Sequence, residues 1–254
     1  MQKKEGVKRG NYMSDDILIE LKNVSKKYIK QTALSECNLS IKKGRIYGVV
    51  GPNGAGKTTM FKCMLGISYP TGGSITYGED NNIRNTKLKF GALIEKPYLN
   101  PNMTALQNLN YMIILCGMKN RKDIVNELIK SIGLENVKNK KVKRYSMGMK
   151  QRLGIAMAVV NAPDVLFLDE PMNGLDPEGI IDVRNYLKNI FYSKERTIII
   201  SSHILGELDK LVTDYIFIKN GRILLNCEKT DIKQVMDEKE YTNIEDFYMN
   251  IIKR

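Results

Sequence analysis

An apolar run, Ile46 to Val50, passes directly into Gly51-Pro52-Asn53-Gly54-Ala55-Gly56-Lys57-Thr58-Thr59, and that junction leaves the chain few folds to adopt. A glycine-rich turn of this spacing requires a strand to deliver it and a helix to follow. Gly51, Gly54 and Gly56 let the backbone bend, so that the amide N–H groups of the loop, those of Asn53 and Ala55 included, surround phosphate oxygens, while Pro52, which has no N–H, helps to shape the turn. The helix that begins near Lys57 adds the positive end of its dipole. Lys57 is placed to bridge the β and γ phosphates, and the Thr58 hydroxyl, beside Thr59, to ligate magnesium. An ordinary glycine-rich turn is the alternative, and the motif by itself indicates nucleotide binding without saying what the nucleotide drives.

The rest of the chain supplies the matching frame. Strand-length apolar segments at Ile17–Leu21, Cys37–Ile41, Ser74–Tyr77, Phe90–Ile94, Val165–Leu168, Thr197–Ile200, Tyr215–Ile218 and Ile223–Leu225 are separated by turn residues. Between Pro97 and Ala162 the period becomes helical: Leu106, Leu109, Met112, Ile113 and Cys116 share one face, and Ile124, Val125, Leu128, Ile129 and Ile132 another. Alternation of strands and helices predicts an α/β fold with a mostly parallel sheet covered on both faces. Residues 1–13 are polar and basic and predict a flexible leader, with Met13 a candidate natural start. The tail from 228 to 254 predicts helix without recognisable chemistry.

Two further clusters carry chemistry. Asp169-Glu170 ends an apolar strand, which puts both carboxylates at the carboxyl edge of the sheet, where open α/β folds bind ligands. Asp169 is expected to hold magnesium through water, and Glu170 to polarise the water that attacks the γ phosphate. His203 is the only histidine in the chain. It follows the strand Thr197–Ile200 and two serines, and a parallel neighbour of the Glu170 strand would bring its imidazole to the same edge. Tyr145-Ser146-Met147-Gly148-Met149-Lys150-Gln151-Arg152 opens a helix expected from Lys150 to Val160. Ser146 is a plausible cap there, and the Gly148 amide a donor without a helical partner.

Together these motifs resemble the ATP-binding subunits of ATP-binding cassette (ABC) transporters, from about Ile17 to Leu225. The resemblance implies a P-loop NTPase core with a mostly parallel sheet, an antiparallel β subdomain and a helical subdomain at about 97–162, all within an ATPase domain at 14–227. It implies ATP and Mg2+ as cofactors and a second ATPase subunit, a second copy in the first instance. Ser146 and Gly148 of one subunit would close on the ATP of the other, with Asn173-Gly174-Leu175-Asp176 crossing the interface. His203 fits the switch histidine. Tyr28 fits the aromatic that stacks on adenine, with an exposed turn tyrosine as the alternative.

Two departures from the family pattern stand out: Met147 and Met149 replace the usual Gly and Gln, and Glu95 stands where glutamine is expected. Glu95 and the signature resemble the subgroup that protects Gram-positive bacteria from bacitracin and lantibiotics. There Glu95 would be a metal ligand; the alternative is a solvent-facing carboxylate at a strand end.

The expected function is therefore an ATP hydrolase powering a separate membrane permease, with export of or immunity to antimicrobial peptides foremost. Export of another substrate (lipid, ion or drug) is the alternative, and a non-transport ABC ATPase acting on ribosomes or nucleic acid the alternative of another class. The charge of +12 suits nucleic acid, an anionic membrane surface or a lysine-rich composition alike. Basic residues are spread along the chain without a recognition helix or an aromatic-basic platform, which argues against nucleic acid. No stretch approaches the ~20 apolar residues of a membrane helix. The expected location is cytoplasmic, peripheral on the inner face of the cell membrane. The four cysteines form no Cys-x-x-Cys pair, which speaks against metal or disulfide roles.

Overall fold

The computed structural model describes residues 17–29, 31–119, 121–194 and 196–253; the expected leader lies outside the described residues. Its centre is a six-stranded sheet in which β5 (Phe90–Leu93), β6 (Val165–Asp169), β7 (Thr197–Ser201), β3 (Ile46–Val50) and β8 (Asp214–Lys219) lie side by side and parallel. Antiparallel β9 (Arg222–Glu228) closes one edge. Every residue of β3, β6 and β7 is buried, as expected of parallel strands covered on both faces. Pleating then divides each strand: Val165 and Phe167 point into one core, Leu166 and Leu168 into the other.

The first core lies between the sheet, α1 (Lys57–Met64) and a three-stranded antiparallel sheet ordered β2-β1-β4. Those strands are β1 (Ile17–Tyr28), β2 (Gln31–Lys42) and β4 (Gly72–Thr76). The second core packs α2 (Ala105–Leu115), α3 (Arg121–Ser131), α4 (Met147–Ala158) and α5 (Pro177–Lys194) against the opposite face. A capping box starts α2, with Thr104 accepting from the Gln107 amide while the Gln107 side chain takes the Thr104 amide. Short α6 (Leu205–Asp209) follows β7, and α7 (Lys229–Glu238) and α8 (Ile244–Lys253) form the tail. Among the described residues no helix is long and apolar enough to cross a membrane.

Besides shifts of a few residues elsewhere, the boundaries of β1, β2 and α4 differ from the sequence expectation with consequences for the site. β1 and β2 extend well beyond Ile17–Leu21 and Cys37–Ile41, because pairing continues past a bulge where Asn23 takes φ 51° and donates its amide to the Asn38 side chain at 2.9 Å. The lysines along that stretch hide it from a hydrophobicity reading. Tyr28 consequently ends a strand rather than sitting in a turn. The helix expected at Lys150 starts at Met147, since the Ser146 hydroxyl accepts the Met149 amide at 3.2 Å.

Candidate functional site

The carboxyl edge of β3, β6 and β7 gathers the chemistry. Between β3 and α1 the loop 51–56 wraps a cavity of about 280 Å3, lined by Tyr28, Pro52–Thr59, Asp169 and Glu170, with Gln31 and Ala33 of β2 on the far wall. Gly56 takes φ 106°, and a Cβ there would lie 2.5 Å from the Ala33 carbonyl oxygen, so its smallness serves chain packing. Gly54, at φ 79°, faces open space, which is where a ligand can approach backbone. Sequence reasoning gave both glycines the same purpose, and the structure separates them.

Lys57 is buried at 7% exposure; its ammonium donates to the Gly51 carbonyl at 2.7 Å and lies 3.5 Å from Glu170 Oε1. The loop's own carbonyls hold the charge in place for an incoming anion. One residue on, the Thr58 hydroxyl donates to Asp169 Oδ2 at 2.6 Å. These two oxygens are hard donors, the kind magnesium prefers, and magnesium completes its octahedron with phosphate oxygens and water, so the pair fits that ion. Among the described residues no group of three or more His, Cys, Asp or Glu side chains forms a site of its own for a metal ion.

Parallel register brings β7 to the same edge, with Asp169 opposite Ser201. The Ser201 hydroxyl, fully buried, donates to Asp169 Oδ1 at 2.7 Å and accepts the Glu170 amide at 2.9 Å. Glu170 itself sits at φ 50°, a conformation that costs a side-chain-bearing residue energy and recurs at functional sites. His203 Nδ1 lies 2.7 Å from Glu170 Oε2. The edge thus holds the Glu170 carboxylate between an imidazole and a nearby ammonium, while its backbone amide is tied to Ser201. A carboxylate so placed can accept a proton from water, and the imidazole keeps Nε2 for a second contact.

The remaining sequence candidates lie elsewhere. Tyr28, half exposed, lines the cavity at the end of β1, with the Lys26 ammonium 5.1 Å from its ring centre. Ser146 and Gly148 head α4 and line neither cavity formed by the 51–59 loop. Asp176 accepts the Gly179 amide at 2.9 Å and thereby caps α5. Glu95 is not brought to Thr58 and Asp169. Its exposed carboxylate, at a residue with φ 63°, pairs with Lys62 at 2.6 Å. That hydrogen bond holds the Glu95 carboxyl below its ordinary range and the Lys62 ammonium above its own. Lys62 lies one turn along α1 from Thr58, so Glu95 stops a helical turn short of the metal pair.

Three residues escaped the sequence reading. Ser201 was signalled by two serines after an apolar strand. Lys62 carries no sequence signal. Tyr248, in the tail expected to lack chemistry, lines a cavity of about 400 Å3 with Asn53, Glu170, Asn173 and His203.

Comparison with known proteins agrees with this geometry. Residues 34–173 match the family described as ABC transporter. The chain is 39% identical over 238 residues to the lantibiotic transport ATP-binding protein SrtF of Streptococcus pyogenes, covering 92% of this chain and 97% of that one. It is 41% identical over 199 residues to the bacitracin transport ATP-binding protein BcrA of Enterococcus faecalis, covering 77% and 64% respectively. Among solved structures it resembles the dimeric post-hydrolysis state of the ATP-binding cassette MJ0796 bound to ADP and Pi. The TM-score is 0.74 and the identity 27%, over 83% of this chain and 98% of that one.

Proposed function

Since this chain belongs to the ABC transporter family as an ATP-binding subunit, we propose that it powers a separate membrane permease for export of, or immunity to, antimicrobial peptides of the lantibiotic or bacitracin type. Subunits of this family bind and hydrolyse ATP, pair with one another and work with membrane permease components. The observation that carries the peptide assignment is the likeness, over nearly its whole length, to a lantibiotic transport ATP-binding protein.

Each residue then has a task in hydrolysis. Backbone N–H groups of the 51–59 loop, other than at Pro52, bind the phosphates, with Lys57 exchanging the Gly51 carbonyl for a phosphate oxygen, and Tyr28 stacks on the adenine. Thr58 and Asp169 would hold magnesium, whose charge, when bound, would offset that developing on the phosphate oxygens. Glu95 joins them only by leaving Lys62. Glu170 takes the proton of the attacking water, held in line by His203, whose Nε2 contacts the γ phosphate. Ser146, whose hydroxyl accepts one hydrogen bond as a cap and can still donate another, and the Gly148 amide bind the phosphate of a second copy, with Asp176 close to that interface.

The permease is received in the apolar groove of about 700 Å3 between the segment after β5 and α2, lined by Pro97, Tyr98, Tyr111, Met112, Leu115 and Met157. Tyr98, Tyr111 and Leu115 are exposed, as an unpartnered docking surface requires. On this reading the subunit works in the cytoplasm, on the inner face of the membrane, where its positive charge suits anionic headgroups.

Deleting the gene in its host should raise sensitivity to bacitracin or a lantibiotic, restored by the wild-type chain and not by Glu170→Gln. Unchanged sensitivity to both classes, with sensitivity to an unrelated drug gained, would assign the subunit to another exporter.

A further inference from the structure

The C-terminal helix α8 reaches the hydrolysis edge. Phe247, buried, packs edge-on against Phe217 with ring centres 5.9 Å apart, and Tyr248 stacks on the same ring at 6.0 Å and 26°. Lys219 donates its ammonium to the Ile252 carbonyl, pinning the end of the helix to β8. Phe217 is fully buried and pairs in register with Val50, the residue before the phosphate-binding loop. Tyr248 is thus fixed one strand away from that loop.

Its ring lines the cavity of about 400 Å3 whose other walls include Asn53, Glu170, Asn173 and His203. The Tyr248 hydroxyl has no hydrogen-bond partner among the described residues, and burial pushes its pKa up, so it stays a neutral donor. Asn53, Asn173 and His203 on the cavity wall are exposed, and Asn173 opens the exposed loop 173–176. Ser146 and Gly148 do not line this cavity either. The side of the cavity facing Tyr248 is therefore open; a two-fold pair presents the same patch on both copies, and this patch carries both the cavity and the 173–176 loop, so one copy's cavity can receive the other's loop.

We infer that α8 belongs to the interface between two copies, with Tyr248 forming part of the wall that receives the other copy's 173–176 loop beside Glu170. This rests on the two-copy reading of the site. A tail outside the nucleotide cavity then tunes how readily ATP closes the pair without touching the nucleotide.

The test uses the full chain carrying Glu170→Gln, which traps the ATP-bound pair, and measures the dimer dissociation constant in ATP by sedimentation. Adding Tyr248→Ala should weaken pairing about tenfold, the loss usual for an aromatic anchor. Adding Tyr248→Phe, which keeps the stacking on Phe217, should weaken it about threefold, as loss of one hydrogen bond does. Affinity of the monomer for a fluorescent ATP analogue should not change in either. If Tyr248→Ala does not fold, the Phe variant decides. Normal pairing of the Phe variant together with normal pairing or misfolding of the Ala variant overturns the inference and leaves the two-copy reading intact. Failure of Glu170→Gln alone to pair in ATP overturns both.

Discussion

His203 Nδ1 lies 2.7 Å from Glu170 Oε2, so the only histidine of the chain is spent on orienting a carboxylate rather than standing free. Glu170→Gln keeps the shape of the site and removes the base. Hydrolysis should fall at least ~100-fold, the usual worth of a positioned general base. ATP binding should persist, and dimers should accumulate in ATP. Phosphate release and light scattering check the two halves, and near-normal turnover would remove Glu170 from the mechanism. Lys57→Ala should instead weaken ATP binding itself, read by titration with a fluorescent analogue.

Ser201 ties two catalytic candidates together, donating to Asp169 and accepting from the Glu170 amide with no exposure to solvent. Ser201→Ala leaves a buried carboxylate oxygen and an amide each short of a partner. The expected cost is about 1–3 kcal/mol of stability. Urea denaturation measures that loss. Magnesium dependence of ATPase activity should shift to higher concentration, because Asp169 is then less firmly aimed. A variant with unchanged midpoint and unchanged magnesium response would make Ser201 a bystander.

The acidic strand and the histidine were legible because each follows an apolar strand in an α/β alternation, and such strands deliver their carboxyl ends to one edge of the sheet; that β6 and β7 are direct neighbours came from the structure. Ser201 needed the actual register, in which it stands opposite Asp169. Lys62 and Tyr248 lay further out of reach. Lys62 meets Glu95 only because Glu95 adopts φ 63°, a turn that propensity does not signal for a glutamate. Tyr248 reads as an ordinary amphipathic-helix residue until Phe217 fixes which face of α8 meets the sheet. The overall α/β alternation survived because β3, β6 and β7 are buried throughout and apolar along their centres, whereas β1 exceeded its expected length because lysines interrupt its apolar pattern.

Lys62 and Glu95 form an exposed pair in which each holds the other in its charged form. A carboxyl with a depressed folded pKa contributes stability above its unfolded pKa and loses it as pH falls through the folded one. The pair therefore persists at neutral pH and breaks only below the ordinary carboxylate range. In Lys62→Gln the Glu95 carboxyl should titrate at higher pH than in the wild type, as NMR of the side-chain carboxyl would show. The same variant frees Glu95 for the metal, so half-saturating magnesium for ATPase activity should fall. A Glu95 titration unmoved by Lys62→Gln would deny the pairing, and an unmoved magnesium requirement would deny Glu95 a place at the metal.

Gly56 and Gly54 belong to one loop but should fail differently. At Gly56 an added Cβ meets the Ala33 carbonyl oxygen at 2.5 Å with φ 106°, so Gly56→Ala must displace β2 or the loop. The expected loss exceeds about 2 kcal/mol, the scale of backbone strain. At Gly54 the same methyl meets nothing within 4 Å, and φ 79° costs only about 1 kcal/mol for alanine. Gly54→Ala should therefore fold, yet bind ATP poorly, because its methyl occupies the space through which phosphate reaches the amides. Denaturation midpoints separate the two stabilities, and nucleotide titration reads the second effect. Full ATP affinity in a folded Gly54→Ala would mean that phosphate is gripped elsewhere along the loop.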